Sequence, residues 1–352
     1  MTSRTIVLAI DPNMDNFSVL GLRHRTAKGH QVVIHNTPAI NVQGTETVFN
    51  FDILITGQAN GDGVNEHVPE HRICRIPRHK KFTQAVKLQQ AVAAYGQQEP
   101  TCFLNIPTWF NGWGGRNYPC AIEWMVVKPN DGARGIGHFT VATAYVNMDY
   151  FLKAMNKLLE GEHTQENFDA FIESFAGKVE YHTGGENYPF EGLESLKTDG
   201  VVVQSVIQNI GKEYRVITDK DCEPSYFQER RSRDPESKYP QATGGGAVID
   251  IGMIKTHDDL PSCINMDLLR HLCKKVIGPM SSIDIFVTND GYWGIFEYCN
   301  QFGISGVPQD YIFNLHATFV ESLVANYIDY ETSVVQHAAD GLAEAWKEPD
   351  HA

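Results

Sequence analysis

Trp124-Met-Val-Val-Lys-Pro-Asn-Asp-Gly-Ala-Arg-Gly-Ile-Gly-His-Phe-Thr-Val141 decides how this chain is read. A β-rich run delivers Lys128, three glycines follow (Gly132, Gly135 and Gly137), and a second β-rich run departs from His138 to Val146. Glycine-rich loops hold phosphates because bare backbone N–H groups approach the oxygens closely. A Walker loop or a Rossmann fingerprint opens a helix, whereas this G-x-x-G-x-G opens a strand. It reads as a hairpin lid with a lysine at its entrance, suited to clamping a nucleotide triphosphate from above.

Composition sets the bounds around that stretch. The 352 residues allow two or three domains, and 42% hydrophobic with 20% charged residues describes a soluble globular chain. A net charge of −14 disfavours duplex nucleic acid and anionic membrane surfaces as partners. Local cations therefore stand out: Arg72, Arg75, Arg78, Lys80 and Lys81 in one run, Arg230, Arg231 and Arg233 in another. Seven cysteines without a C-x-x-C pair argue against a zinc site or a disulfide framework and fit a reducing cytosol. With no signal-peptide core and no run of membrane-spanning length, the expected location is cytoplasmic.

Along the chain, residues 5–11, 31–35 and 51–56 read as strands of a β-α-β unit, predicting a small Rossmann-like domain to about residue 78. Only Asp11-Pro-Asn-Met follows its first strand, so no dinucleotide is expected there. Lys80 to Tyr95 reads as a helix closed by Gly96, 149–161 and 164–177 as helices, 201–207, 213–218 and 225–231 as strands, and 265–277 as a helix. The loop at 107–117 offers Trp109, Phe110, Trp113 and Arg116 either as an acceptor pocket or as a packed connection. Residues 312–345 read as helical.

Ser282 to Asn300 contains Asp290-Gly291, a two-residue hairpin signal. Counting outward from that turn puts Asp284 opposite Glu297. Two carboxylates held side by side repel unless a cation or a proton sits between them, and a hard oxygen site of this kind suits Mg²⁺ bridging nucleotide phosphates. Alternatively Asp284 points to solvent, or the turn is Asn289-Asp290 and the register shifts. Glu213 and Arg215 share a strand face and either pair with one another or act separately. The 14 histidines show no metal spacing.

Lid and acidic hairpin together resemble the ATP-grasp superfamily, nearest its carboxylate–amine ligases, the ribosomal-protein glutamate ligases and glutathione synthetases; the resemblance covers roughly residues 78–310. It implies an α+β fold of two subdomains clamping ATP, here 79–200 and 201–330, preceded by the Rossmann-like α/β domain at 1–78 and followed by a C-terminal helix and tail at 331–352. In the family the strand lysine, here Lys128, contacts the nucleotide, and the lid, here Gly132, Arg134, Gly135 and Gly137, covers its phosphates. The resemblance further implies Lys81 as the first ATP-contacting lysine, with Lys80 the neighbouring alternative. Gln204, Ser205 and Val206 match the hinge that reads adenine, and Glu213 with Arg215 the motif near ribose or metal. Arg230 is favoured for stabilising the transferred phosphoryl group. Asp284, Glu297 and Asn300 match the metal motif, for one or two Mg²⁺ ions. That motif departs from the usual E-x-N, because Cys299 stands two after Glu297; either Asn300 reaches the metal through a bulge or Cys299 fills the space. Gln241 stands where the glutamate ligases carry asparagine. The activity so implied is amide formation from a carboxylate and an amine (an amino acid, peptide or modified nucleotide) through an acyl phosphate. A kinase-like phosphotransferase, a non-catalytic ATP-binding module and a homodimeric state stay open.

Overall fold

The computed structural model describes residues 5–9, 31–35, 53–56, 73–75, 79–96, 102–110, 123–131, 137–182, 190–232, 247–248, 254–299, and 307, 308, 310, 311, 314, 315 and 318. Three sheets organise them. The first joins β1 (Thr5–Ala9), β2 (Gln31–His35), β3 (Ile53–Thr56) and β4 (Ile73–Arg75) in the order β2-β1-β3-β4, all parallel. Their near-continuous apolar runs suit a parallel sheet. The connections that would make this unit Rossmann-like lie outside the described residues.

Helix α1 (Lys81–Tyr95) leads into the second sheet, built from β5 (Thr108–Phe110), β6 (Trp124–Pro129), β7 (His138–Ala142), β8 (Val179–His182) and β9 (Val201–Ser205). All pairs in this sheet are antiparallel, in the order β5-β9-β6-β7-β8. Helices α2 (Met148–Glu160), α3 (Gln165–Glu173) and α4 (Phe190–Asp199) cover it. Asn147 caps α2 by accepting from the Tyr150 N–H, and Thr164 caps α3 by accepting from that of Asn167. Alternate residues Met125, Val127, Phe139 and Val141 meet Phe151, Leu152, Met155 and Phe171 in one core. Rings of Phe139, Phe151 and Phe171 stand 5.7–5.8 Å apart, two of the three pairs edge-on and the third tilted.

The third sheet holds β10 (Ile210–Thr218), β11 (Pro224–Ser232), β12 (Ala247–Val248), β13 (Ile254–Lys255), β14 (Ser282–Thr288) and β15 (Trp293–Cys299). Its order is β12-β11-β10-β14-β15, with β13 also on β11. Helix α5 (Met266–Leu272), continued by a single π-type turn at Cys273–Ile277, packs its leucines onto Tyr214, Val216, Ile283 and Ile285. Leu88 of α1 shares this core. Phe103 forms a parallel bridge to Trp293, and five residues later Thr108 pairs with Gln204 in the second sheet. The segment therefore spans both sheets beside the direct link from β9 to β10. No described helix is long and apolar enough to cross a membrane. Most of the predicted helix at 312–345 lies outside the described residues.

Asp284 does face Glu297, yet by a different route from the one counted. Thr288 N–H donates to the Tyr292 carbonyl at 2.8 Å and Gly291 N–H to that of Thr288 at 3.1 Å, so the turn holds three residues, Asn289 to Gly291. Gly291 at φ 85° supplies the left-handed position that such a loop needs. This places Ile285 opposite Ile295. A bulge then inserts Phe296, whose ring tilts against Phe286 at 4.7 Å, and the ladder resumes with Asp284 opposite Glu297. The longer turn and the bulge cancel.

Candidate functional site

The site-facing surface of the third sheet is set by strand alternation. On β10, Tyr214 and Val216 enter the core while Glu213 and Arg215 take the other face. Neighbouring strands bring Arg230 beside Glu213 and Asp284 beside Arg215. Two arginines and three carboxylates thus share one patch, and Lys128 of β6 approaches it from the second sheet, close enough for Glu297 to act on its charge.

Arg215 meets Asp284 with two parallel bonds, Nε to Oδ1 at 2.9 Å and Nη2 to Oδ2 at 3.0 Å, and Arg230 Nη1 adds a third to Oδ2 at 3.2 Å. Such forked pairing is the strong form of an ion pair. The Arg215 guanidinium reaches across to Asp284 on the neighbouring strand, and its charge also acts on Glu213. Burial opposes ionisation of Asp284, but the two guanidiniums outweigh it and hold its carboxyl below the usual range. Glu213 goes the other way: burial first, then the Asp284 charge, push its carboxyl up to about 8. Burial also draws the Lys128 ammonium down to about 8, with Glu297 opposing and Lys81 reinforcing the fall.

Arg230 is only 5% exposed, and its Nε and Nη2 have no partner among the described residues. Buried, unsatisfied guanidinium donors are costly, and here they adjoin a carboxylate patch beside two lysines. An anionic oxygen entering there would satisfy them. Lys81 lies buried next to Lys128, whereas Lys80 is exposed and pairs with Asp199 at 3.5 Å, so Lys81 is the lysine the fold brings to the patch. Arg231 turns to Glu229 on the opposite face at 2.9 Å.

Between the sheets, Ser205 N–H donates to Pro107 O at 3.1 Å and Val206 N–H to Trp124 O at 3.0 Å. Gln204 Nε2 holds Thr108 Oγ1 at 3.0 Å. A cavity of about 540 Å³ adjoins this hinge, lined by Ser205, Val206, Ile207, Gln208, Asn209 and Tyr292 among others. The Ser205 hydroxyl is buried with no partner among the described residues. Gly137 sits at the start of β7 with φ 75°. Gly132, Arg134, Gly135, Asn300, Gln241, Trp113 and Arg116 lie outside the described residues. Trp109 packs against the core of the second sheet and Phe110 stacks on Phe82 at 5.3 Å, which places both aromatics in a packed connection.

Asp284 and Glu297 are hard oxygen donors, and Glu213 adds a third carboxylate that burial and the Asp284 charge keep from ionising readily. That excess of acid beside unfilled cationic donors suits a divalent ion arriving with phosphate. Mg²⁺ commonly takes one or two carboxylates and completes its shell with phosphate and water. Among the described residues no three His, Cys, Asp or Glu side chains form a metal cluster of their own; an ion at Asp284 and Glu297 would need further donors from a ligand or water. Asp284 would then exchange or share its guanidinium contacts. Asn130, absent from the sequence reading, emerges beside Lys128: its carbonyl accepts from Lys81 N–H at 2.9 Å. A lone asparagine after Lys-Pro carries no spacing signal that could have singled it out.

No family model matches the chain, and no curated protein matches it by sequence. Solved structures do resemble it. D-alanine–D-alanine ligase from Bacillus anthracis aligns at a TM-score of 0.50 and 11% identity, over 94% of this chain and 99% of that one. N5-carboxyaminoimidazole synthetase from Staphylococcus aureus complexed with ADP aligns at 0.50 and 12%, over 89% and 76%. At these identities the likeness is one of fold.

Proposed function

We propose, from the ATP-grasp fold that these likenesses show, that the chain is an ATP- and Mg²⁺-dependent ligase joining a carboxylate to an amine. The observation that carries this reading is the patch itself. Lys81, Lys128, Arg215 and Arg230 converge with Glu213, Asp284 and Glu297, and two buried Arg230 donors find no partner among the described residues. A neutral substrate would leave those donors unmet; a polyphosphate meets them.

In the proposed reaction a substrate carboxylate oxygen attacks the γ-phosphorus of ATP, the bond from that phosphorus to the β–γ bridging oxygen breaks, and ADP leaves. An amine nitrogen then attacks the acyl carbon, inorganic phosphate departs, and the nitrogen loses a proton to give the amide. Lys128 and Arg230 offset charge on the moving phosphoryl group, where fixed electrostatics and positioning supply most of the rate. Arg215 holds Asp284 in place, and the hinge at Gln204, Ser205 and Val206 receives the adenine. Asp284 and Glu297 would hold the Mg²⁺, which would supply positive charge against the phosphates. The substrates would be a small acid and an amine such as an amino acid or peptide.

The test is incubation with ATP, Mg²⁺ and a panel of acid–amine pairs, following ADP, phosphate and product mass. Amide with stoichiometric ADP and phosphate is expected. A phosphorylated product without amide would make the chain a phosphotransferase, and nucleotide bound but never consumed would make it a binding module.

A further inference from the structure

We infer that Asn130 is a positioning residue that fixes the separation of Lys81 and Lys128, and with it the cationic floor of the nucleotide site; the inference rests on the nucleotide-binding reading above. Helix α1 starts in a way its own sequence does not favour. Lys80 occupies the N-cap position and makes no side-chain cap bond, and no acid stands in the first turn. Lys81, the first helical residue, puts a cation at the positive end of the helix dipole. The first N–H groups of any helix need partners from outside it, and α1 finds two of them on a single residue far downstream, Asn130. Lys81 N–H donates to the Asn130 carbonyl at 2.9 Å, and Phe82 N–H donates to Asn130 Oδ1 at 3.0 Å. Asn130 therefore does through space what Ser, Thr, Asp or Asn does at an ordinary N-cap.

The same residue is tied on its other sides. Its N–H donates to the Gly200 carbonyl at 2.9 Å, and the neighbouring Asp199 holds Lys80. Asn130 is 6% exposed and follows Lys128 by two positions, across a proline whose φ is fixed. From the backbone of Lys128 to that of Lys81 the connection is two residues and two hydrogen bonds. Two buried ammonium groups repel, so without such a tie α1 would start later or swing away. A phosphate bridging the lysines needs their spacing set before it binds, since ordering them on binding subtracts from affinity.

The experiment is ADP titration by calorimetry on the wild type and on Asn130→Ala and Asn130→Asp, each also made in a Lys81→Met background, with thermal unfolding alongside. Asn130→Ala is expected to weaken ADP about tenfold, equivalent to ~1.4 kcal/mol. Asn130→Asp keeps an acceptor oxygen for Phe82 and should recover most of that loss. With methionine at position 81 the Asn130→Ala effect should shrink below about twofold, because residues acting as a unit are non-additive. Folded Asn130→Ala binding ADP within twofold of wild type overturns the role of Asn130, and so does an equal loss in both backgrounds. A wild-type chain that binds no ADP overturns the nucleotide reading together with it. Should Asn130→Ala fail to fold, Asn130→Asp decides: near-wild-type affinity supports the role and a tenfold loss overturns it.

Discussion

Replacing Gly192 with alanine should destabilise the protein although it improves the helix propensity of α4. Gly192 is buried on α4, where an added Cβ would stand 2.4 Å from Tyr181 Oη, 2.5 Å from Gly137 Cα and 2.6 Å from Gly137 N. Two of those three atoms are backbone, so no side-chain rotation relieves them. The contact is reciprocal: a Cβ on Gly137 would lie 2.9 Å from Gly192 Cα and would also have to adopt φ 75°. Separating α4 from the start of β7 by about 0.5–1 Å is the least adjustment, and overpacking of this kind costs ~1–3 kcal/mol. Helix propensity alone favours alanine over glycine by ~0.8–1.0 kcal/mol. With backbone against backbone the upper part of the overpacking range applies, leaving a net loss of ~1–2 kcal/mol and a Tm lower by a few degrees. Thermal unfolding followed by circular dichroism measures it. Adding Tyr181→Phe should return only part of the loss, because the oxygen leaves but the Gly137 backbone stays. A Tm equal to or above wild type for Gly192→Ala would mean that α4 does not rest on the glycine at the start of β7.

Two further outcomes follow from the charges in the patch. Asp284→Asn leaves Arg215 and Arg230 facing a neutral amide, and breaking a buried pair costs ~3–5 kcal/mol. Because its folded-state pKa is depressed, the Asp284 contribution is present above the unfolded value of about 3.9 and is lost as pH falls through the folded value. The stability gap between wild type and variant in urea titrations should therefore be wide at pH 7 and narrow toward pH 3; a gap independent of pH would refute the pairing. Lys128 has its pKa lowered to about 8, so between pH 8 and about 10.4 the unfolded chain holds a proton that the folded one has released, and this group's effect on stability rises with pH. A nucleotide bound as proposed would favour the charged form, so ADP affinity should fall by up to about tenfold per unit above pH 8, and Lys128→Met should flatten that slope. An unchanged slope in the variant would assign it to another group.

Much of the site was legible because it is written in strand alternation and register. Glu213 and Arg215 two apart, Asp284 and Glu297 flanking a turn, and a lysine entering a glycine run are all patterns a linear reading can use. The hairpin shows how far that reading goes. Gly291 announces a turn but does not announce its length, and a bulge leaves no compositional mark; Phe296 is as ordinary in a regular strand as in a bulged one. The right pairing came from two departures of equal size. The Arg215–Asp284 fork was missed for a related reason, since nothing within β10 says which neighbouring strand will lie beside Arg215. Lys80 and Lys81 could not be separated from sequence because one helical step turns a side chain from solvent to interior, and only the docking of α1 on Asn130 fixes that rotation. The tie made by Asn130 uses its carbonyl for Lys81 and its side-chain oxygen for Phe82, and nothing in a linear reading pairs an asparagine with a helix start so far back in the chain.

The double crossing between the second and third sheets has a mechanical consequence. Residues 104–107 and 205–209 pass side by side from one sheet to the other, so two tethers at separate points replace a single swivel. One strand would let the sheets twist, tilt and slide. Two resist twisting and sliding. A third tie stands at the lysine end: α1 bonds Asn130 through the Lys81 and Phe82 N–H groups, and its Gln84 side chain exchanges two hydrogen bonds with the Tyr298 backbone. The two sheets are thus braced on both sides of the charged patch, and a ligand entering there would meet groups whose spacing is already set.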